Sequence, residues 1–368
     1  MKIGVLGIGR LGICFALNLE RTGYTVCGVD IAEAYVESIN NKTLQSPEPE
    51  VETLLKGSKN LTATTHIGEV LTNEFPLLFV MVATPSLPDG SYDHSQIERI
   101  TGALINSGKR GGKPVHVVIG CTVMPGFCDE LQKTLAPYNY LVSYNPEFIA
   151  QGSIIKDQLY CDQVLIGEAN TEAGDLIESV YKKLCKSKPL VCRMNRLSAE
   201  ICKLATNCFL TTKIAFANAI GDLATVSGAE PEKILAAVGA DSRIGAQYLK
   251  YGFGYGGPCF PRDNRALNIF ARNQNYGMLI GEATDKMNST HLQFQVSQYL
   301  ELYGENETIV FNEVTYKPGT VILEESQQLA LALKLAQAGR KVLVKEKPAV
   351  IDELKRRYAH VFMYEVIK

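Results

Sequence analysis

Cys259 lies in the stretch Gly252-Phe253-Gly254-Tyr-Gly256-Gly257-Pro258-Cys259-Phe-Pro261-Arg262-Asp263. Its four glycines let the backbone bend tightly around something. A cysteine fixed between Pro258 and Pro261 has two readings on spacing alone: a nucleophilic thiolate, or a small apolar residue in a loop. Lys203 and Asn207 lie four apart and share a face if the segment is helical. On a wheel of about 100° per residue, 203 and 205 point about 200° apart, so that face is not the main apolar stripe. A lysine in so apolar a segment needs a partner or a job. The bland alternative is a snorkelling lysine or an ion pair with Glu200. Glu147, in Asn145-Pro-Glu147-Phe148, follows an expected strand ending at Ser143. Thr84 in Val-Ala-Thr-Pro and Thr122 in Gly-Cys-Thr-Val-Met-Pro-Gly also come just past expected strands. Each alone reads equally well as a cap or turn residue. Three strand ends that each close on a polar residue and a proline outline a crevice, because ligands of open parallel sheets bind at the C-terminal ends of strands.

The N-terminus supplies Gly7-Ile-Gly9-Arg10-Leu11-Gly12 between an expected strand and an expected helix, and the next strand ends in Asp30, 23 residues after Gly7. In that context Gly7 permits the turn, Gly9 lets the backbone approach a pyrophosphate, and Gly12 lets helix and strand pack closely. Asp30 would accept hydrogen bonds from a ribose diol and repel a 2′-phosphate, which favours NAD over NADP. A tight strand-to-helix turn is the alternative where the motif stands alone.

These residues need an α/β scaffold. Lys2–Leu6, Thr25–Asp30, Leu77–Val82, Val115–Ile119, Leu141–Ser143 and Gln163–Ile166 read as strands. They are short, rich in β-branched residues and separated by helical stretches such as Leu11–Arg21, which predicts a parallel sheet with crossover helices. From Ser198 to Val226 there is no proline and only Gly221. Apolar residues recur at 201, 204, 205, 208, 212, 216, 220 and 223, predicting a long helix buried between layers or between subunits. A third part, with strands at Thr308–Asn312, Lys341–Lys345 and Val361–Val366 and helices at Glu325–Ala338 and Ala349–Arg357, makes half of a doubly wound sheet. The division is 1–196, 197–303 and 304–368.

The 368 residues carry a net charge of −2 and are 46% hydrophobic. That balance offers no bulk basicity for nucleic-acid phosphates. No apolar run reaches the roughly 18 residues that span a bilayer. No stretch reads as a signal peptide, so the expected location is the cytoplasm, with no nucleic-acid or membrane partner. The ten cysteines show no Cys-x-x-Cys spacing and the five histidines do not cluster beside them. Neither a disulfide framework nor a metal site is expected; nine cysteines read as small buried residues, and Cys259 stands apart.

The motifs together resemble the UDP-glucose/GDP-mannose dehydrogenase family over most of the chain. The matching stretches are GIGRLG with Asp30, VATPS with DGSYD, GCTVMPG, NPEFIAQGSIIKD, AEICKLATNCFLTTKIAFAN, DSRIG and GFGYGGPCFPRD. The resemblance implies an N-terminal Rossmann-type NAD domain, a central long-helix region that builds a homodimer, and a smaller, truncated Rossmann-like domain. It implies four-electron oxidation of a nucleotide sugar's C6 alcohol to a carboxylate, with NAD as cofactor. By the same resemblance Cys259 would carry a thiohemiacetal and then a thioester, with Lys203 and Asn207 stabilising the oxyanion. Glu147 would be the base for hydrolysis, and Thr122 and Asp263 would position water. Gly7, Gly9, Arg10, Leu11, Gly12, Asp30, Thr84, Thr122 and Arg262 would hold the cofactor. Glu147, Phe148, Ile149, Lys203, Asn207, Tyr248, Tyr251, Phe253, Gly256 and Lys317 would line the sugar-nucleotide site, and Arg243 would reach into the neighbouring subunit.

NPEFIAQGSIIKD is closer to the UDP-glucose branch than to the GDP-mannose branch, although Gln151 stands where a glutamate is common. Glu324 occupies a position where the family carries an arginine, and Ala219 one where a glutamate is usual. The alternatives are therefore the same chemistry on GDP-mannose or a UDP-N-acetylhexosamine, or a nucleotide-sugar-binding protein without turnover. A β-hydroxyacid dehydrogenase of similar layout would use no cysteine.

Overall fold

The computed structural model of the chain describes residues 1–108 and 111–367. The chain divides into two compact units, Met1–Lys203 and Leu204–Lys368.

The first unit holds an eight-stranded sheet. Its strands are β1 Lys2–Leu6, β2 Thr25–Val29, β3 Leu61–Thr64, β4 Leu77–Val80, β5 Val115–Ile119, β6 Tyr140–Tyr144, β7 Gln163–Gly167 and β8 Leu190–Met194. They run in the order β3-β2-β1-β4-β5-β6-β7-β8. The strands from β3 to β6 are all parallel. Every residue of β4 and β5 is buried, as helices on both faces of a parallel sheet require. One face packs Ile3, Val5 and Phe79 against Phe15 and Ile177; the other packs Leu6, Leu78 and Val117 against Leu104 and Leu131. Phe15 and Phe79 meet edge to face, ring centres 4.8 Å apart.

The parallel pairing is broken once, at the far edge. β7 meets β6 antiparallel, at Tyr144 and Gly167, and β8 pairs with β7 in parallel. Short apolar runs encode burial rather than direction; the connection sets direction. Here Asn145 Nδ2 donates to Leu165 O at 2.8 Å and pins the turn after β6 to β7. Two strands, β3 and β8, lie outside the predicted set: β3 is a four-residue run and β8 is only part-buried.

The second unit takes most of the helix Arg196–Ser227 and adds Pro231–Ala240, Phe260–Asn273 and Leu279–Leu302. A parallel three-stranded sheet follows, of β9 Thr308–Asn312, β10 Lys341–Glu346 and β11 Met363–Val366, in the order β11-β10-β9. The helix expected from Glu325 begins at Gln327 instead. Ser326 caps it by accepting from Leu329 N at 3.2 Å, and Glu325 has φ +48°, outside helical geometry.

Within the single chain the long helix buries its polar side. Glu200, Lys203, Asn207, Thr211, Asn218 and Asp222 are buried, whereas Phe209, Phe216, Leu223 and Val226 are exposed. Of the predicted apolar stripe, Leu204 and Cys208 are buried but Ala205, Phe216 and Leu223 face outward. Among the described residues no helix is long and apolar enough to cross a membrane.

Candidate active site

The glycine motif forms the cradle its spacing predicts. Gly7 has φ +88°, and a Cβ on Gly12 would lie 2.1 Å from Gly7 O, so only glycine lets the helix Arg10–Arg21 approach β1 this closely. Gly9, the residue before that helix, has open space where a Cβ would stand and φ −60°, ψ −160°. First-turn N–H groups with no capping side chain suit an anion such as a pyrophosphate. Asp30 follows β2 and accepts from Ala32 N at 3.1 Å. β1 and β4 are adjacent while the chain order reverses between them, which is where doubly wound sheets bind ligands. These residues fit a dinucleotide. Leu11 packs on the core, and Arg10 donates to Gln151 Oε1, tying the motif to the segment after Asn145.

The predicted strand ends come side by side because β4, β5 and β6 are neighbours. Thr84 Oγ1 donates to Thr122 O at 2.6 Å. His94 Nε2 accepts from Met124 N at 3.2 Å, and its ring lies against Phe127 with centres 3.9 Å apart and planes tilted by 34°; burial pushes His94 down to about 4, so it stays neutral. Glu200 is fully buried and accepts from Gly126 N at 2.6 Å and Cys128 N at 2.8 Å, capping the helix Phe127–Leu135. The Glu200–Lys203 ion pair considered above is thus replaced: the carboxylate is spent on backbone donors.

Lys203 turns instead to the Asn145–Phe148 turn. Its Nζ donates to Glu147 O at 2.7 Å and sits 4.3 Å from the centre of the Phe148 ring. Ile149 is part-exposed beside it in sequence. Glu147 keeps some surface exposed while its carboxyl is enclosed. Burial raises that carboxyl from 4.5 to about 7, against the Tyr181 hydrogen bond and the Lys203 charge, which both lower it. Tyr181 OH donates to Glu147 Oε1 at 3.3 Å. A cavity of about 10 Å³ beside Glu147 is lined by Asn145, Gln158, Cys161 and Tyr181, and is on the scale of one water molecule. Asn145 Oδ1 and Gln158 Nε2 are buried there with no hydrogen-bond partner among the described residues.

In the second unit Cys259 is the one exposed cysteine of the ten. It immediately precedes the helix Phe260–Asn273, so the thiol lies at the positive end of that helix's dipole. One turn on, Asp263 is 1% exposed and its Oδ2 accepts from Asn207 Nδ2 at 2.6 Å. Arg262 Nε lies 3.7 Å from Asp263 Oδ1. The glycine loop is held by close packing. A Cβ on Gly256 would lie 2.2 Å from Glu325 O, and one on Gly257, at φ +82°, 2.3 Å from the Tyr316 ring. Gly257 N donates to Glu324 O at 3.1 Å, and Arg265 forks onto Glu325 at 2.6 and 2.8 Å. Glu324 therefore meets the cysteine loop through its backbone. Tyr251 OH donates to Asp222 Oδ1, and His291 bridges both Asp222 oxygens to Gly252 O. Phe253 and Tyr248 are exposed; Tyr248 has φ +62° and packs edge-on to Phe260. Arg243 forks onto Asp241 rather than into this cluster, and Lys317 is exposed.

Sequence reasoning missed Tyr181, His94, His291 and Arg265. Their partners lie 30 to 69 positions away, so no local spacing announces them. A carboxylate within an apolar stretch was the available sequence signal for Glu200.

Two family models match: the NAD binding domain of the UDP-glucose/GDP-mannose dehydrogenase family over residues 1–185, and its central domain over residues 197–290. The chain belongs to that family and uses NAD. It is 30% identical over 356 residues to a UDP-glucose 6-dehydrogenase of Pseudomonas aeruginosa, covering 93% of this chain and 78% of that protein. It is 29% identical over 362 residues to UDP-glucose 6-dehydrogenase YwqF of Bacillus subtilis, covering 95% and 80%. Among solved structures, a UDP-glucose dehydrogenase from Pyrobaculum islandicum superposes with a TM-score of 0.89 at 28% identity, covering 99% of this chain and 85% of that one.

Proposed function

We propose that this nucleotide-sugar dehydrogenase oxidises the C6 hydroxyl of UDP-glucose to the carboxylate of UDP-glucuronate. The observation that carries the reading is Cys259: one exposed thiol among ten, at a helix N-terminus, on a glycine loop, with the buried Asn207–Asp263 pair one turn behind it. Gly7, Gly9, Arg10, Leu11, Gly12 and Asp30, with Thr84, Thr122 and Arg262, would hold NAD, which would supply the hydride acceptor; oxidation of an alcohol to an acid removes two hydrides, so two NAD molecules bound in turn would each take one.

The protein's own groups do the rest. The Cys259 thiolate adds to the C6 aldehyde, and Lys203 and Asn207 stabilise the oxyanion that develops. Once the adduct is oxidised to a thioester, the product stays attached until water cleaves it. Glu147 takes the proton of that water. A carboxyl raised to about 7 suits a base near neutral pH. Thr122 and Asp263 position the water. Phe148, Ile149, Tyr248, Tyr251, Phe253, Gly256 and Lys317 line the sugar-nucleotide site. The exposed Phe209, Phe216, Leu223 and Val226 on the long helix form the face of a homodimer, across which Arg243 reaches the partner's substrate.

The test is turnover of purified protein with NAD and UDP-glucose, GDP-mannose or a UDP-N-acetylhexosamine. Two NADH per UDP-glucose are expected, and no net turnover by Cys259→Ser, which still binds UDP-glucose. Faster turnover with another sugar reassigns the substrate. Normal turnover by Cys259→Ser removes the covalent mechanism.

A further inference from the structure

Cys161 and Cys185 face each other in the N-terminal unit with their sulfurs 3.4 Å apart. Cys161 lies in the turn between the helix Ile154–Leu159 and β7; Cys185 directly follows the helix Thr171–Leu184. Both are part-exposed, whereas Cys14, Cys27, Cys121, Cys128 and Cys208 are buried. The two segments are already joined beside the sulfurs. Lys186 N donates to Leu159 O at 2.6 Å, and Ser187 Oγ donates to Cys161 O at 2.8 Å. We propose that Cys161 and Cys185 form a reversible dithiol–disulfide couple, a modification site separate from Cys259, whose oxidant is a small-molecule disulfide of the glutathione class and whose state is felt at Glu147.

A disulfide needs its sulfurs about 2.05 Å apart, so closure asks for a movement of roughly 1.4 Å. The cavity of about 10 Å³ against Cys161 leaves room for it. The pair is also polarised. The Cys185 thiol donates toward Cys161 and holds it below the ordinary thiol range, while Cys185 is pushed up by the same contact. Cys161 is therefore the attacking sulfur. Its thiolate displaces one glutathione thiolate from the oxidant and forms a mixed disulfide. Cys185, giving up its proton, then attacks the Cys161 sulfur and expels the second glutathione thiolate. Two thiols become one disulfide, glutathione disulfide becomes two glutathiones, and the two thiol protons end on them. Glu147 shares the cavity, and its donor Tyr181 is one turn before Cys185, so closure pulls on the helix end that carries this hydrogen bond. That link concerns the carboxyl proposed above as the base; the couple itself does not depend on that role.

The test uses the full chain carrying Cys259→Ser, so that the exposed thiol does not compete. The protein is equilibrated in buffers of rising glutathione disulfide, alkylated and digested. Trypsin cuts after Lys182 and Lys183, between the two cysteines, so the disulfide leaves a linked peptide pair that dithiothreitol separates. With Cys185→Ser added, glutathione accumulates on Cys161; with Cys161→Ser added instead, Cys185 stays unmodified. Absence of the linked pair, or glutathione on Cys185 in the Cys161→Ser protein, overturns the couple. Oxidised and reduced protein are then compared in thermal midpoint against pH. A shift of about half a pH unit or more in the Glu147 transition is expected. Superimposable curves overturn the link to Glu147 and leave the couple standing.

Discussion

Asn207 Nδ2 lies 2.6 Å from Asp263 Oδ2, and both side chains are buried. This bond, with Cys208 Sγ reaching Asp263 O at 3.6 Å beside it, ties the long helix to the first turn of the helix that begins after Cys259. A buried hydrogen bond to a charged acceptor contributes about 1.5–3 kcal/mol. Asn207→Ala and Asp263→Ala, made singly and together and unfolded in denaturant under circular dichroism, should show a coupling in that range. Additivity within about 0.5 kcal/mol would mean the two residues are merely neighbours.

Glu200 makes a comparable tie in the other unit. It accepts from Gly126 N and Cys128 N, and burial raises its carboxyl above the ordinary range. Glu200→Ala strands both donors inside the protein and uncaps the helix Phe127–Leu135, at a cost of about 2–5 kcal/mol. For a unit of this size that corresponds to a thermal midpoint lower by about 5–15 °C. Glu200→Gln keeps an acceptor and should lose less than half as much. Equal losses from the two substitutions would place the effect in the charge rather than in the hydrogen bonds.

The fold and the residues at its strand ends are readable in the sequence because local rules govern them. A glycine needed at φ +88°, as Gly7 is, or at a 2.1 Å approach, as Gly12 is, leaves a fixed spacing. So does a strand end that closes on threonine and proline. What is not readable is set by partners far along the chain. The reversed β7–β8 pair depends on how the Asn145 turn docks, and its apolar runs look like those of the other strands. The long helix hides its buried side because Lys203, Asn207, Asn218 and Asp222 look like a solvated face until their partners are known. Cys161 and Cys185, 24 positions apart, read as two ordinary cysteines until β7 and the end of the helix Thr171–Leu184 bring them together.

His291 shows the same dependence and yields a third prediction. Its Nδ1 lies 2.9 Å from both Asp222 oxygens and its Nε2 lies 2.6 Å from Gly252 O, so both ring nitrogens face acceptors. The ring is 1% exposed and clamps the start of the glycine loop. His291→Ala leaves Asp222 with Tyr251 as its side-chain donor and frees Gly252 on one side. Amide hydrogen exchange at residues 252–257 should then quicken by about tenfold or more, equivalent to about 1.4 kcal/mol of lost local stability. Unchanged exchange there would show that the packing of Gly256 and Gly257 holds the loop without the histidine.

Glu147 gives the last prediction, in pH. Its carboxyl titrates at about 7 in the folded protein against 4.5 for an ordinary glutamate, chiefly through burial. The folded state therefore holds the proton more tightly than the unfolded chain. The stability this provides is present in full below about pH 4.5 and is lost as pH rises through about 7. With the whole shift expressed, the loss is on the order of 3 kcal/mol. Glu147→Gln, which cannot ionise, should stay flat through that window. The difference between its thermal midpoint and that of the unsubstituted chain then traces the titration. Lys203→Met removes a charge that lowers the Glu147 carboxyl, so in that variant the fall should move to higher pH. On the mechanism proposed above, in which the carboxylate is the base for thioester hydrolysis, turnover runs the other way and should rise through about pH 7. A stability transition centred near 4.5 would mean that water reaches the carboxyl and that Glu147 is an ordinary surface acid; one near 7 but unmoved by Lys203→Met would mean that the lysine charge does not act on it.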